Sequence, residues 1–347
     1  MKLLLKIVGA VLLLLVLAAG GFYLWASTTS SRLMARTFEI HGVDFPVPFP
    51  LSEQERQELG LPDEEVERLA TERAVERGKH LVEARYACLE CHGADFSGGV
   101  MLDTAPIGRL LGPNITSGRG SRAEGFGPSD WDRIVRHGVR SDGWPAAMPA
   151  GDYQLIADQG LSDIIAYLST QPAMDNEVPV VTLGPLGKIL MATGQFPLAV
   201  DLIQSHDAEH TTYPPAGEVS VDFGRHLAGI CTGCHQEDFA GGQIPGADPS
   251  WVPARNLTPH ADGLRDWSYD QFVAAMLERR RPNGTEVLPP ITLVMPYAPR
   301  MTEVELEELW THLGSVSPMP SCQYSEFEIQ ELDRGAGGRY GRRARAQ

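Results

Sequence analysis

The longest apolar run in the chain lies near the N-terminus, from Ile7 to Ala26, with Lys2 and Lys6 before it. A helix of about 20 residues spans the hydrocarbon core of a bilayer, so this pattern predicts a transmembrane anchor over residues 1–30. The preceding lysines favour an N-terminus in the cytoplasm. A cleaved secretory signal is the alternative, because such signals have a shorter apolar region followed by small residues. The run continues past Ala18-Ala19-Gly20, which favours a retained anchor.

Residues 31–76 are predicted to form a stalk and charged helices. The proline-rich stretch from Phe45 to Pro50 favours extended backbone, because proline restricts both itself and the residue before it. We expect this stretch to hold the rest of the chain away from the membrane. Ser52, with Glu55 three residues later, has the pattern of a helix capping box. A second charged helix, with a solvated face, is expected to begin near Pro62.

The rest of the chain repeats one pattern in the same order, which is typical of a duplicated domain. Each copy has a Gly-basic-His-Leu segment, an Asp-Phe-x-Gly-Gly segment, an Asn-x-Thr segment, a tryptophan and a Met-Pro pair before an amphipathic helix. The corresponding segments begin at Gly78 and Gly224, Asp95 and Asp238, Asn114 and Asn256, Trp131 and Trp267, and Met148 and Met295. The closing helices are predicted at Leu161–Ser169 and Thr302–Leu313.

The repeat divides the chain into two domains, over residues 77–172 and 222–318. Residues 173–221, rich in Pro and Gly, form an interdomain strap with a helical stretch from Leu186 to Leu202, expected to pack on both domains. Residues 319–347 form a polar C-terminal tail that ends in an Arg-rich stretch. Disorder is expected there. A contact with acidic lipid or a partner is the alternative.

Each copy contains Cys-x-x-Cys-His, as Cys88, Cys91 and His92 and as Cys231, Cys234 and His235. This is the attachment pattern of c-type haem, in which the thiols bind the porphyrin covalently and the imidazole meets the iron. A zinc site would need the two Cys pairs about 15 to 20 residues apart. A redox dithiol or a disulfide leaves the histidine unexplained. We therefore predict two covalently bound haem c groups.

Iron in cytochromes c is commonly held by His and Met. Met148 and Met295 lie at similar distances after His92 and His235, and each precedes a proline. They are the predicted axial ligands opposite the two histidines. Met101, Met276 and Met301 have no counterpart in the other copy and are expected to fill gaps in the core. The alternative histidine ligands are His80, His226 and His137, with surface or packing roles favoured for His80 and His226.

The formal net charge of −16 argues against a nucleic-acid partner, which requires a basic surface. An acidic surface suits association with a basic redox partner and also favours solubility. The fifth cysteine, Cys322, has no partner in the sequence and is expected to be a free thiol.

From Gly78 to Pro318 the chain resembles the membrane-anchored dihaem c-type cytochromes, on the two Cys-x-x-Cys-His motifs and the two Met-Pro pairs. It is similar to the cytochrome subunits of bacterial membrane dehydrogenases for alcohols and sugar acids. The resemblance implies a mainly α fold, with two tandem class I cytochrome c domains behind an N-terminal transmembrane helix. It implies a single-pass anchor in the inner membrane, with the haem domains in the periplasm.

The expected function is transfer of single electrons between redox partners, as part of a respiratory complex or a membrane dehydrogenase, without a catalytic site. A dihaem peroxidase is the alternative enzyme, but it should lack one of the two methionine ligands. A redox sensor would need a signalling domain, and the sequence shows none.

Overall fold

The computed structural model describes residues 2–86, 88–179, 181–203, 205–207, 209–214, 219–244, 252–288 and 298–321. Three positions discussed above lie outside the described residues: Met295, Pro296 and Cys322. The C-terminal tail beyond residue 321 also lies outside them.

Most of the described secondary structure is helical, which confirms the predicted mainly α class. The α-helices are α1 (Lys2–Met34), α2 (Glu53–Leu59), α3 (Asp63–His80), α4 (Cys88–His92), α5 (Pro128–His137), α6 (Asp158–Ser169), α7 (Pro185–Ala192), α8 (Val221–Ala228), α9 (Thr232–His235), α10 (Tyr269–Leu277) and α11 (Glu303–Ser315). A π-helical turn, Leu81–Arg85, continues α3. Short 3₁₀ turns lie at Ala150–Asp152, Ala199–Leu202, Gly229–Cys231 and Ala298–Arg300.

A small antiparallel sheet accompanies the helices and was not predicted. Its strands are β1 (Gly99–Thr104), β2 (Gly108–Gly112) and β3 (Thr182–Leu183), in the order β1-β2-β3. The third strand comes from the predicted strap and pairs with β2 through Gly108 and Arg109. The strap is therefore part of the fold around the first Cys-x-x-Cys-His motif.

Helix α1 is long and apolar enough to cross a membrane, and its apolar window is fully exposed. A membrane anchor and a signal sequence share this composition. The helix extends four residues beyond the predicted end of the anchor, to Met34. Its last turns are covered by protein, because Ala26 and Ser30 are buried and Leu33 packs against the cluster around Met191 of α7.

The segment predicted as a stalk is instead packed onto the body of the protein. Phe45 and Phe49 belong to the first hydrophobic core, with 7% and 6% of their surface exposed. The Ser162 hydroxyl donates a hydrogen bond to the Pro46 carbonyl at 2.7 Å. The prediction of a stalk is wrong, because the prolines set only the extended backbone, whereas the two aromatic rings supply apolar surface that gains free energy on burial.

The described helices surround two hydrophobic cores. The first unit contains α3 to α6 around a core that includes Val82, Phe96 and Leu161. The second unit contains α8 to α11 around a core that includes Leu227, Phe272 and Leu309. In each unit the helix before the Cys-x-x-Cys-His motif packs against the last helix, α3 on α6 and α8 on α11.

Both helix pairs cross at a glycine of the repeat. A Cβ at Gly78 would overlap the Asp163 carbonyl and lie 2.9 Å from the Tyr167 Cβ. A Cβ at Gly224 would overlap the Glu308 carbonyl and lie 2.6 Å from the His312 Cβ. Real Cβ atoms do not tolerate such distances, so each backbone approach requires glycine.

The helix predicted at Leu186–Leu202 is shorter in the structure. Helix α7 ends at Ala192, and Gly194 follows in the left-handed conformation with φ of 75°. A glycine in this conformation is a common helix terminator. The chain then packs Leu198 and Val200 against Val139 of the first unit. The described contacts of this segment are thus with α1 and the first unit.

Substitution Gly224→Ala should destabilise the second unit by about 2 kcal/mol, because the added methyl must push α8 away from α11. The matched control is Gly314→Ala in α11, where a Cβ meets no atom within 4 Å. That substitution should be neutral or stabilise by about 0.5 kcal/mol. Denaturant unfolding followed by circular dichroism measures both, and equal effects of the two substitutions would contradict the packing described here.

Candidate haem-attachment site

The first motif lies on a single turn of helix, α4, which presents Cys88, Cys91 and His92 together. The turn rests on the sheet at Gly112, where a Cβ would overlap the Cys91 carbonyl. Cys88 packs against the first core, and His92 is buried, with 8% of its surface exposed. The glycine contact thus fixes the helical turn against a strand.

The imidazole of His92 has a defined orientation and protonation. Its Nδ1 lies 2.8 Å from the Pro113 carbonyl oxygen. Because a carbonyl only accepts, Nδ1 carries the proton and donates, which leaves the lone pair on Nε2. Burial lowers the pKa of His92, although the Pro113 hydrogen bond opposes this effect. A neutral imidazole with its Nδ1 proton bound by a carbonyl is the usual form of a metal-ligating histidine.

The thiols of the first motif are free and protonated at neutral pH. Burial raises the pKa of Cys88 to about 12 and that of Cys91 to about 11. Thiol–disulfide exchange and zinc binding both use the thiolate. The raised pKa values therefore argue against a reactive redox dithiol, whereas a zinc ion would itself deprotonate the thiols that it binds. Two free thiols on one turn beside a neutral imidazole fit the covalent attachment of haem c.

The second motif repeats these properties on the 3₁₀ turn that ends at Cys231 and on α9. Nδ1 of His235 donates a hydrogen bond to the Arg255 carbonyl at 2.7 Å, and burial lowers the pKa of His235. Burial also raises the pKa of Cys231 to about 12 and that of Cys234 to about 11. The donor set is the same as in the first motif.

The carbonyl that binds each histidine precedes the asparagine of an Asn-x-Thr segment. Asn114 is fully buried; its Oδ1 accepts from the Thr116 N–H at 2.9 Å and from the Thr116 hydroxyl at 2.8 Å. Its Nδ2 donates to the Met174 carbonyl at 2.7 Å. We call this arrangement the asparagine brace.

The second unit has the same brace. Asn256 accepts from the Thr258 N–H and hydroxyl and donates to the Met319 carbonyl at 2.7 Å. The sequence repeat revealed the Asn-x-Thr segments, but the backbone carbonyls of Pro113 and Arg255 have no signature in side-chain pattern.

Of the two predicted methionine ligands, the structure describes Met148. It is partly buried and packs against the first core, as Cys88 and Trp131 do. Met276 and Met301 pack against the second core, as predicted for gap-filling residues. Met101 is 41% exposed, so its predicted role as a core filler is wrong.

The alternative histidine ligands His80 and His226 make hydrogen bonds between the two units. His80 Nε2 lies 2.8 Å from Glu305 Oε1, and His226 Nε2 lies 3.3 Å from the Tyr86 hydroxyl. Arg300 adds a 3.0 Å bond to the Glu83 carbonyl. These histidines thus serve the contact between the units. His137 lies in a separate cluster on α5.

The second motif also contacts the first unit. The Asp152 Oδ1 lies 3.0 Å from the position that a Cβ of Gly233 would take. This aspartate follows shortly after Met148 and Pro149 on the same loop. Burial raises its pKa to about 7. A carboxyl group that titrates near neutral pH therefore lies beside the second Cys-x-x-Cys-His turn.

Comparison with known proteins supports the assignment of the motif. Residues 73–168 match the family described as Cytochrome C oxidase, cbb3-type, subunit III, a range that includes Cys88, Cys91, His92 and Met148. The chain is 28% identical over 236 residues to the gluconate 2-dehydrogenase cytochrome c subunit of Pantoea cypripedii, covering 58% of this chain and 50% of that protein.

Two further relatives have related names. The cytochrome c subunit of alcohol dehydrogenase (quinone) from Gluconacetobacter polyoxogenes is 25% identical over 264 residues, covering 68% of this chain and 54% of that protein. The fructose dehydrogenase cytochrome subunit of Gluconobacter japonicus is 28% identical over 106 residues, covering 28% and 21%. The chain spans about half the length of the first two relatives.

These matches and the site geometry support one conclusion. Residues 73–168 match a cytochrome c family, and this similarity implies covalently bound haem c. The chain is homologous to cytochrome c subunits of dehydrogenases, which are electron-transfer components rather than catalytic subunits.

Substitution Asn114→Ala should destabilise the first unit by about 2–3 kcal/mol, because it leaves the buried Thr116 N–H without its partner and removes the 2.7 Å bond to the Met174 carbonyl. Asn176→Ala is the matched control, since its exposed side chain makes one bond, to the Ser97 carbonyl. It should cost less than about 1 kcal/mol. Denaturant unfolding would count against the brace if the two variants were equally stable.

Proposed function

We propose that this chain carries two covalently bound haem c groups and passes single electrons between redox partners on the periplasmic side of the inner membrane. The observation that carries the proposal is the repeated site: a Cys-x-x-Cys-His turn, a histidine Nδ1 bound to a carbonyl, and an asparagine brace behind that carbonyl. The same three features occur at His92 and at His235. Haem iron supplies a one-electron couple when bound.

We infer that the protein contributes orientation and ligands. The Pro113 and Arg255 carbonyls hold the imidazole protons on Nδ1, so both Nε2 atoms are available to iron. Met148 supplies the second ligand in the first unit. Met295 is proposed for the second on its sequence position. Thioether ligation raises the potential relative to a second histidine.

The contact between the units supports electron transfer within the chain. The loop that carries Met148 continues to Asp152, which lies against Gly233 of the second attachment turn. The His80–Glu305 and Tyr86–His226 bonds hold the units together beside this contact. A fixed contact between the units favours electron transfer between the two proposed haem sites.

The proposed partners are the catalytic subunit of a dehydrogenase or a respiratory complex in the same membrane. The relatives' names associate them with gluconate, alcohol and fructose dehydrogenases. Helix α1, proposed as a retained anchor, would keep the chain at the membrane surface, where such partners reside. The partner's catalytic subunit would then determine which substrate is oxidised.

The main test concerns the iron ligands. The full-length protein should hold two haems per chain after denaturation, be six-coordinate at both irons, and bind carbon monoxide poorly when reduced. Met148→Ala and Met295→Ala should each lower the potential of one haem, open it to carbon monoxide, and remove about half of the near-infrared sulfur-to-iron absorption. Absorption spectroscopy and redox titration measure these changes.

Met101→Ala is the matched control for the ligand test, because Met101 is exposed on β1. It should change neither potential nor spectrum. A single haem per chain would refute the two-haem proposal. One high-spin iron with rapid peroxide turnover would favour the peroxidase instead.

The potential of the second haem should fall as pH rises through about 7. Above that pH Asp152 is ionised, and its negative charge stabilises the ferric form; below it the carboxyl is neutral. Asp152→Asn should raise this potential at pH 8 and flatten its pH dependence. The matched control is Asp142→Asn, an exposed carboxylate of the first unit. Redox titration from pH 6 to 8 measures the effect, and an unchanged profile in Asp152→Asn would exclude this coupling.

A further inference from the structure

A cluster of ligand-type side chains lies between α5 and the strap, apart from both Cys-x-x-Cys-His motifs. Asp132 and His137 come from α5, and His206 and His210 come from the strap. Asp132 is 0% exposed and His137 is 3% exposed, whereas the His210 side chain is 11% exposed. One ligand atom from each of Asp132, His137 and His210 lies within 4.8 Å of the others.

The hydrogen bonds around His137 fix the position of its lone pair. His206 Nε2 lies 3.2 Å from the Val200 carbonyl, so this nitrogen carries the proton of His206. Nδ1 of neutral His206 is therefore an acceptor. It lies 3.0 Å from His137 Nδ1, which must be the donor of that bond. The lone pair of neutral His137 is consequently on Nε2.

This lone pair faces a carboxylate. His137 Nε2 is 3.6 Å from Asp132 Oδ2, which is too far for a hydrogen bond. His210 Nδ1 is 3.7 Å from Asp132 Oδ1. Ligands of a tetrahedral zinc ion with bonds of 2.0–2.1 Å are separated by about 3.4 Å. Each histidine nitrogen thus lies close to ligand spacing from one oxygen of Asp132, Oδ2 for His137 and Oδ1 for His210.

We propose that Asp132, His137 and His210 bind one divalent ion of the zinc type, and that His206 is a positioning residue that fixes the tautomer of His137. Two imidazoles and one carboxylate are a donor set that suits zinc. A histidine ligand commonly donates its other ring N–H to a neighbouring acceptor, which is the relation of His137 to His206. The site would clip the strap onto α5.

The buried charged groups near the site carry a net negative charge, which favours binding of a cation. Arg136 Nη1 lies 2.5 Å from Asp132 Oδ1 and 3.1 Å from His210 Nδ1, and Arg136 Nη2 lies 2.9 Å from Asp158. One guanidinium therefore faces two carboxylates, with a net charge of −1 when the imidazoles are neutral. A bound metal ion would replace the hydrogen bond from Arg136 to His210 Nδ1. Arg136 would retain its bonds to the two carboxylates and to the Ile156 carbonyl.

Asp132 can bind both Arg136 and the proposed metal ion, because a carboxylate oxygen accepts more than one bond. Its Oδ2 already accepts from the Val43 N–H at 2.8 Å. The remaining lone pair of Oδ2 is available to an ion bound between this oxygen and His137 Nε2. The Val43 bond also holds the carboxylate in its present orientation.

The test is zinc titration of the full-length haem-loaded protein after treatment with a chelator. Calorimetry and elemental analysis should show one zinc ion per chain, and zinc should raise the thermal midpoint by mass action. His210→Gln, at the partly exposed edge of the site, and His137→Gln should each weaken binding at least tenfold. His206→Gln should weaken it less, because that residue does not bind the ion directly.

The matched control is His260→Gln, which removes a histidine whose Nδ1 lies 3.3 Å from Asp262 outside this cluster. Zinc uptake should be unchanged in that variant. Haem absorbance and circular dichroism verify that each variant is folded. Absence of stoichiometric zinc in the wild-type protein would overturn the proposal, and so would uptake that survives in a folded His210→Gln.

Discussion

The hydrogen bond between a motif histidine and a backbone carbonyl is the constraint on which the rest of each unit depends. It is short, at 2.8 Å for His92 and 2.7 Å for His235, and it decides which ring nitrogen can face a metal. A carbonyl in a loop can hold an imidazole only if the loop is rigid. The asparagine brace provides that rigidity, because Asn114 joins its own loop to the Met174 carbonyl and Asn256 joins its loop to the Met319 carbonyl. Each unit is therefore closed by chain that follows its last helix, just beyond the predicted boundaries at residues 172 and 318.

The sequence allowed prediction of the features that depend on side-chain identity at fixed spacing. The motif turns, the glycines at the helix crossings and the final helices all lie in the repeat. The carbonyl partners could not be predicted, since every residue has a carbonyl and only the fold selects Pro113 and Arg255. The prediction of a stalk failed because proline indicates extended backbone and not exposure; Phe45 and Phe49 were the informative residues. His80 and His226 correspond in the repeat, but their partners depend on how the units dock.

The two units share a crossing geometry but differ in the charge that they bury there. In the first unit Arg77 forms two hydrogen bonds to Asp163, at 2.6 and 2.8 Å. Burial raises the pKa of Asp163, and Arg77 opposes this effect. The position equivalent to Arg77 in the second unit is Phe223. The corresponding carboxyl, Glu308, is fully buried without a hydrogen-bond partner among the described residues, and burial raises its pKa to about 7. The two units thus share the backbone contact, while their buried charges differ.

The ionisable groups between the two units differ in how their protonation responds to pH. Burial and the nearby Arg85 guanidinium lower the pKa of His226 to about 3, so its bond to Tyr86 keeps the same protonation throughout the neutral range. His80 contacts Glu305, whose pKa lies below its usual value because bonds from His80 and Thr302 outweigh burial. The Tyr86–His226 bond and the charge of the Glu305 carboxylate therefore do not change near neutral pH. Asp152 is different, since its pKa of about 7 lies within that range and its carboxyl lies beside the second attachment turn. A change in pH near 7 would consequently alter the charge beside the second motif while the Tyr86–His226 bond keeps its protonation.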